Sequence, residues 1–210
     1  MMPSSVSLNA MVAVSMGGAG MNELPPPRLA RWPEGAIFTV GHSTLPIGRF
    51  VALLQTYGIG QLADIRTVPR SRHNPQFNAD TLPHSLAEAR IAYVPMPALG
   101  GLRRPRADSP NTGWRNASFR GYADYMQGAA FHDAIGELIA MSARQRTAIM
   151  CAEAVPWRCH RSLVADALGV RGVAVIEILS AGSYRMHELT PFARVDGTSL
   201  TYPGDQARLF

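Results

Sequence analysis

The chain has 210 residues, of which 47% are hydrophobic and 17% charged, and this length is sufficient for one globular domain with a full core. No apolar run reaches the roughly 18 to 20 residues of a membrane span, which excludes a membrane protein. The net charge is +5, and all 20 basic residues are arginine. The lack of lysine excludes a lysine Schiff base or a P-loop lysine. Guanidinium groups favour phosphate or carboxylate ligands, although an arginine-biased genome would produce the same balance.

The first 35 residues differ in composition from the rest of the chain. Residues 1–35 contain five methionines and have no periodic apolar pattern, which predicts a disordered leader or a mis-called start. The first arginine is Arg28, so the basic region that precedes a secretory signal is missing. Two cysteines are too few for a disulfide scaffold, and we expect a cytoplasmic thiol protein with a single domain over 36–205.

From residue 36 onward, β-prone runs alternate with segments of helical apolar spacing. Strands are predicted at 36–40, 58–65, 91–94, 147–150 and 173–178. Helices are predicted at 47–54, at 80–90, at 119–141 with a break near Gly128, and at 159–168. This alternation predicts an α/β three-layer sandwich, Rossmann-like or flavodoxin-like, around a mostly parallel sheet of about five strands. The Asp-Gly pair at 196–197 predicts a small C-terminal hairpin.

Polar side chains follow several of the predicted strands. Ligands of open parallel sheets bind beyond the carboxyl ends of the strands, so these side chains are candidate site residues. The candidates are, in chain order, His42, Ser43, Asp64, Arg66, Arg70, Ser71, Cys151, Glu153, Arg158, Cys159, His160 and Arg161. They are far apart in the sequence, and we expect them to converge at one edge of the sheet.

Each candidate also has a structural interpretation. His42 can be a core or capping histidine, and Asp64 with Arg66 can form a buried ion pair. Cys151, at the end of an apolar strand, has the position of an inert core cysteine, but a strand end is also the mouth of such a sheet. Cys159 is placed at a predicted helix N-terminus, where the dipole and two arginines would stabilise a thiolate. The sequence therefore slightly favours Cys159 as a nucleophile.

The two cysteines leave further interpretations open. Cys151, Cys159 and His160 form C-x7-C-H, which is not a compact zinc spacing, although His42 or Asp64 can supply another ligand. We assign no metal and no cofactor. A redox pair of the two cysteines is a comparable alternative, without support from a C-x-x-C motif.

A long loop is predicted over 97–118. It mixes arginines with aromatic residues, a composition suited to gripping phosphates and stacking bases. The alternative is an exposed, solubilising loop. No known sequence-specific nucleic-acid motif accompanies it.

Five ordered motifs resemble the domain-of-unknown-function family 488 (DUF488), a widespread bacterial group. They are TVGHS (39–43), DIRTVPRSRHNPQFN (64–78), LGG (99–101), FRGYADYM (119–126) and MCAEAVPWRCHRSLVADAL (150–168). The resemblance covers residues 37 to about 204 and implies no established reaction. The positions that match the family pattern are His42, Ser43, Asp64, Arg66, Pro69, Ser71, Cys151, Glu153, Cys159, His160 and Arg161.

A weaker likeness concerns rhodanese and cysteine-phosphatase domains, in which a strand delivers a cysteine to an anion-wrapping loop. The likeness is one of layout, because the arginine follows Cys151 by seven positions, at Arg158, whereas the phosphatase loop is C-x5-R.

Two functions follow from these residues. The first, which we favour, is a thiol-dependent transferase or hydrolase acting on an anionic small molecule, a nucleotide or a nucleic acid. Its proton-transfer groups would be Glu153 with His42 or His160, and its anion-binding groups Arg66, Arg158 and Arg161. The second is a non-catalytic module that grips phosphate or nucleic acid with the same arginines, its cysteines being structural. The oligomeric state is not indicated.

Overall fold

The computed structural model describes residue 27 and residues 30–204 and contains a six-stranded sheet with helices on both faces. The strands of the sheet are β1 (Ile37–Gly41), β2 (Gln61–Asp64), β3 (Ala92–Pro95), β4 (Thr147–Cys151), β5 (Val175–Ser180) and β6 (Ser183–Met186). The helices are α1 (Ile47–Thr56), α2 (Leu82–Glu88), α3 (Ala117–Tyr125), α4 (Ala129–Ser142) and α5 (Arg161–Gly169). Two short strands, β7 (Arg194–Asp196) and β8 (Ser199–Thr201), form a separate hairpin.

The strand order is β3-β2-β4-β1-β5-β6. The first five strands in this order are mutually parallel, and β6 runs antiparallel to β5 at one edge. The predicted mostly parallel α/β sandwich is confirmed, although its order differs from the two common doubly wound orders. The sequence analysis missed β6 because three of its four residues are exposed, and such an edge strand lacks an apolar run.

Two apolar clusters, one on each face of the sheet, form the core. The strand residues alternate between them: in β4, Ala148 and Met150 pack toward α1 and α2, whereas Ile149 and Cys151 pack toward α3, α4 and α5. The central strands β1 and β4 are buried on both faces of the sheet, which accounts for their nearly continuous apolar sequences. This alternation places the side chain of Cys151 at the carboxyl end of β4 on the α5 side.

The packed chain begins earlier than predicted at its N-terminal end, and the predicted hairpin is present at its C-terminal end. Most of the predicted leader lies outside the described residues, but Trp32 packs edge-on against Phe38 and Tyr184 at 5.1 and 4.8 Å between ring centroids. The packed chain thus begins before the predicted boundary at residue 36. The C-terminal hairpin is confirmed, and Gly197 in its turn has a positive φ of 59°. No helix in the described ranges is long and apolar enough to cross a membrane.

Two predicted helix boundaries have different outcomes. The predicted break near Gly128 is confirmed, because this residue caps the N-terminus of α4 in an extended conformation. The last predicted helix begins too early: α5 starts at Arg161, and Cys159 is extended, with φ −134° and ψ 146°. Cys159 therefore precedes α5 by two residues and lies next to its N-cap residue, His160, so the predicted start of this helix is two residues too early.

A buried charge network ties the C-terminal segment to the sheet. The ring of His187 bridges two buried carboxylates, with Nε2 at 2.8 Å from Asp166 Oδ1 and Nδ1 at 2.8 Å from Glu177 Oε1. The hydroxyl of Tyr202 donates to the other oxygen of Asp166 at 2.9 Å. Burial opposes the charged ring, but the hydrogen bonds to the two carboxylates raise the pKa of His187 to about 9.

This raised pKa predicts a loss of stability at alkaline pH. The ionised His187 stabilises the fold fully below its ordinary pKa of 6.5, and this contribution disappears as the pH rises through about 9. A neutral ring has one N–H, so one carboxylate then faces a lone pair. We expect His187→Asn to lower the free energy of unfolding by about 2 kcal/mol at pH 7 and to flatten its decline between pH 7 and 10. Urea unfolding measures both, and His73→Asn, at an exposed position, is the matched control. An unchanged pH profile in the His187 variant would refute this role.

Candidate functional site

A cavity of about 370 Å³ opens at the carboxyl edge of the sheet, on the side of α3 and α5. Loops that follow β2, β3 and β4 form its wall together with the start of α3. The lining residues are Arg66, Thr67, Val68, Gly101, Leu102, Ser118, Phe119, Cys151, Ala152, Glu153, Arg158, Cys159 and His160. Six predicted site residues are therefore brought together: Arg66, Cys151, Glu153, Arg158, Cys159 and His160.

The topology explains why the cavity lies at this edge. Adjacent strands β2 and β4 are followed by α2 and α5, which pack on opposite faces of the sheet, so their connections separate and leave a crevice. The turn after β1 packs tightly on the loop after β4: His42 N donates to Cys151 O at 3.1 Å, and Ser43 N donates to Ala152 O at 2.9 Å. A Cβ on Gly41 would lie 1.8 Å from Glu153 O, so this approach requires glycine.

The two cysteines meet at the inner end of the cavity. Cys151 Sγ lies 2.7 Å from Cys159 Sγ, and both residues are buried, with 2% and 4% of their surface exposed. His160 Nδ1 lies 3.5 Å from Cys159 Sγ, while its Nε2 lies 3.2 Å from Ile65 O. A ring that donates its Nε2 hydrogen to this carbonyl leaves Nδ1 free to take a proton from the Cys159 thiol.

A buried guanidinium lies under the same loop. Arg161 is 1% exposed, and its Nη2 donates to Glu153 O at 3.0 Å and Ala154 O at 3.3 Å. Within the described residues, Nε and Nη1 of Arg161 have no hydrogen-bond partner. The guanidinium braces the loop through its carbonyls and places an uncompensated positive charge near the thiols. It does not line the cavity, in contrast to its predicted role in binding substrate.

The two thiols titrate as a pair, and their pKa values are shifted in opposite directions. The hydrogen bond from Cys151 lowers the pKa of Cys159, and the hydrogen bond and charge of His160 and the charge of Arg161 add to this effect against burial. Burial and the neighbouring Cys159 sulfur raise the pKa of Cys151. The pair therefore loses its first proton at Cys159, whose thiolate accepts the hydrogen bond of the Cys151 thiol.

Arg66 is held rigidly on the opposite wall. Its Nε donates to Asp64 Oδ1 at 2.8 Å and its Nη2 to Asp64 Oδ2 at 2.5 Å, while Nη2 also donates to Phe77 O at 2.7 Å. Asp64 is itself buried and accepts the hydroxyl hydrogen of Tyr93 at 2.8 Å. Asp64 thus orients Arg66, and this buried ion pair is the structural interpretation stated from the sequence.

His42 lies behind Arg66 and does not line the cavity. It is 2% exposed, stacks on Phe77 at 4.0 Å between ring centroids, and donates from Nδ1 to Ser43 O at 2.8 Å. Its Nε2, 3.2 Å from Arg66 Nη1, accepts a hydrogen bond from the guanidinium. Burial above all, opposed by the bond to Ser43, lowers the pKa of His42 to about 4. A neutral His42 therefore positions Arg66 and is poorly placed for the predicted proton transfer.

The remaining predicted residues have other surroundings. Ser71 Oγ accepts hydrogen bonds from His73 N at 3.2 Å and Asn74 N at 3.1 Å, which is a turn-forming role. Ser43 is half-buried in the turn after β1 and has a positive φ of 48°. Arg70 is exposed on the loop after β2 and does not line the cavity.

Sequence reasoning missed the apolar wall of the cavity. Val68 and Leu102 are 62% and 71% exposed at its mouth, and Phe119 lies beside them. Val68 and Phe119 belong to the motifs at 64–78 and 119–126, and Leu102 directly follows the motif at 99–101. The wall favours a ligand that carries an apolar part beside its charge.

The loop at 97–118 is well anchored. Asp124 of α3 accepts hydrogen bonds from Arg106 N at 2.8 Å, Ser109 Oγ at 2.5 Å and Asn111 Nδ2 at 2.8 Å. Trp114 packs against Phe119 and other aromatic rings. Trp114 is therefore already stacked within the domain, which weakens its predicted use for stacking bases.

Comparison with known proteins identifies one family. The sequence model of the family described as Domain of unknown function DUF488 matches residues 46–168. This range includes both cysteines, His160, Arg66 and Arg158 but is narrower than the predicted resemblance over 37 to about 204, and β1 lies outside it. Neither the curated proteins nor the solved structures gave a match.

The charges around the thiol pair predict selective alkylation. Because the pKa of Cys159 is lowered, its thiolate persists at pH 6, where a free thiol has lost roughly a hundredfold of its reactivity relative to pH 8.5. We expect iodoacetamide to modify Cys159 at pH 6 at nearly its pH 8 rate, while Cys151 stays protonated and unmodified. Peptide mass spectrometry of the folded protein measures both rates. Equal rates for the two cysteines would contradict this asymmetry.

The position of the His160 ring depends on Gly101. A Cβ at residue 101 would lie 2.5 Å from His160 Nδ1, so Gly101→Ala must displace the ring. We expect this variant to slow alkylation of Cys159 at pH 6 about tenfold, with a smaller effect at pH 9, where the thiol ionises without help. Gly136→Ala is the control, since a Cβ there meets nothing within 4 Å. An unchanged alkylation rate at pH 6 would show that His160 does not promote ionisation of the Cys159 thiol.

Proposed function

The chain belongs to the DUF488 family, and we propose that it is an enzyme that uses the Cys159 thiolate as a nucleophile toward a small anionic substrate. The observation that carries this proposal is the placement of Cys159 Sγ beside His160 Nδ1 within a cavity that Arg66 and Arg158 also line. A nucleophile, a proton acceptor oriented by a third group, and cations beside them form the usual arrangement of a cysteine enzyme.

The proton transfers follow from the hydrogen bonds of His160. Its Nε2 hydrogen is donated to Ile65 O, so Nδ1 takes the proton of Cys159. The thiolate then forms a bond to the electrophilic atom of the substrate, and the leaving group departs with the proton from Nδ1. Water or a second acceptor displaces Cys159 from the adduct, which makes the reaction a hydrolysis or a group transfer. Glu153, at the cavity wall, is the second acid–base candidate.

Two arginines recognise the anion in different ways. Arg66 is fixed by Asp64, Phe77 O and His42, and one hydrogen of its Nη1 remains for a ligand after the bond to His42. Arg158 is exposed at the cavity and can follow the substrate. The cavity volume of about 370 Å³ suits a small molecule, and its wall of Val68, Leu102 and Phe119 suits an apolar group.

A binding module is the second candidate. The low exposure of both cysteines, 2% and 4%, is typical of packed core thiols. In that case the arginines would hold an anion and no covalent step would follow. The two functions differ in whether a reagent in the cavity reaches Cys159.

The test uses two alkylating reagents of similar size, anionic iodoacetate and neutral iodoacetamide. We expect the ratio of the iodoacetate rate to the iodoacetamide rate at Cys159 to exceed the ratio for free cysteine. Arg158→Gln should lower this ratio about fivefold, equivalent to about 1 kcal/mol for an exposed ion pair, and leave the iodoacetamide rate unchanged. Inorganic phosphate should compete with iodoacetate.

The control variant is Arg70→Gln, which removes an exposed arginine from the same edge of the sheet but outside the cavity lining. Its ratio should equal that of the unmodified protein. If Cys159 stays unreactive until the protein unfolds while phosphate still binds, the binding module replaces the enzyme. If the ratio of the iodoacetate rate to the iodoacetamide rate is the same in both arginine variants, Arg158 does not bind the anion.

A further inference from the structure

In the function proposed above, the second cysteine donates a hydrogen bond to Cys159 but takes part in no chemical step. Cys151 Sγ is 2.7 Å from Cys159 Sγ, and both residues line the same cavity. Cysteine side chains this close need little rearrangement to form a disulfide. A small reagent that reaches Cys159 through the cavity therefore meets two sulfur atoms.

We propose that Cys151 and Cys159 act as a dithiol that reduces a low-molecular-weight disulfide carrying carboxylates, with Cys159 as the attacking and Cys151 as the resolving thiol. This inference rests on the proposed function for the identity of the nucleophile and of the anion-binding arginines. It adds the substrate class and a second catalytic residue.

The reaction has two exchange steps. The Cys159 thiolate attacks one sulfur of the substrate disulfide, which forms a mixed disulfide and releases the first half of the substrate as a thiolate that takes a proton. Cys151 then loses its proton to the second leaving thiolate and attacks Cys159 Sγ, forming the Cys151–Cys159 disulfide. Two electrons pass from the protein to the substrate, whose two halves leave as thiols. An external thiol must reduce the protein disulfide before the next cycle.

The order of attack follows from the surroundings of each sulfur. Cys159 has His160 Nδ1 at 3.5 Å as its proton acceptor. Cys151 lies at the end of a fully buried strand, and beyond Cys159 its contact is with the carbonyl of Glu153 at 3.8 Å. A thiol that stays protonated beside a thiolate is suited to the second step, when the mixed disulfide at Cys159 has removed the neighbouring charge.

The buried Arg161 makes the oxidised form easy to reduce. In the dithiol form the charge of Arg161 favours the Cys159 thiolate, and among the described residues the guanidinium donates hydrogen bonds only to the carbonyls of Glu153 and Ala154. Disulfide formation removes that negative charge and leaves the buried cation less stabilised. Stabilisation of the reduced form makes a dithiol pair readily reducible by external thiols, which turnover requires.

Oxidised glutathione is the probe, and the full chain is first reduced and freed of reductant. We expect the unmodified protein to lose two hydrogens in mass and to release two molecules of reduced glutathione per chain. Cys151→Ser should instead accumulate one glutathionyl group, attached to Cys159. Cys159→Ser should form no adduct, because the remaining thiol lacks the proton acceptor.

Cystamine, a cationic disulfide, tests the charge preference. Relative to free cysteine, the protein should react at least tenfold faster with oxidised glutathione than with cystamine. Arg158→Gln should reduce this preference about fivefold, whereas Arg70→Gln should leave it unchanged.

The possible failures separate the two proposals. A glutathionyl adduct that persists on the unmodified protein, or no reaction with oxidised glutathione while Cys159 still prefers iodoacetate, overturns the dithiol and leaves the anion-directed nucleophile intact. If Cys159 reacts with neither iodoacetate nor oxidised glutathione in the folded protein, both proposals fail.

Discussion

The site depends on the burial of the Arg161 guanidinium. Removing such a charge from water is costly unless other groups replace the lost hydration. Here two backbone carbonyls of the loop after β4 accept from Nη2, and the thiol pair lies nearby. The same charge therefore holds the loop in place and favours a thiolate at Cys159. Loop shape and sulfur ionisation therefore both depend on this charge, which adds to the effect of the hydrogen bonds from Cys151 and His160 on the pKa of Cys159.

The charge of Arg66 is stabilised in a different way from the charge of Arg161. Its charge is neutralised by Asp64, and its remaining donors are oriented by Phe77 O and the neutral ring of His42. Because these partners are themselves buried, the guanidinium is preorganised, and little rotamer entropy is lost when a ligand binds. Arg66 supplies a fixed contact, whereas the exposed Arg158 supplies an adaptable one.

Much of the site could be predicted because strands of a parallel sheet end at a common edge. That rule alone predicted that Arg66, Cys151 and the segment 158–160, which come from two distant motifs, lie together. It could not separate the groups that face the cavity from those behind them. His42 directly follows a strand, which is why the sequence predicted a catalytic role for it. In the structure its ring stacks on Phe77, and burial lowers its pKa to about 4. The contact between His42 and Phe77 joins residues that are 35 positions apart, and a local sequence pattern does not predict such a contact.

The sequence by itself determined the alternation of strands and helices, the break at Gly128 and the C-terminal hairpin, since these depend on local periodicity and turn chemistry. The tertiary structure alone decided the edge strand β6, the extended conformation of Cys159 and the 2.7 Å contact between the sulfurs. Sulfur separation and ionisation depend on long-range packing and on buried charge, because desolvation and Coulomb energies are set by neighbours in space rather than neighbours in the chain.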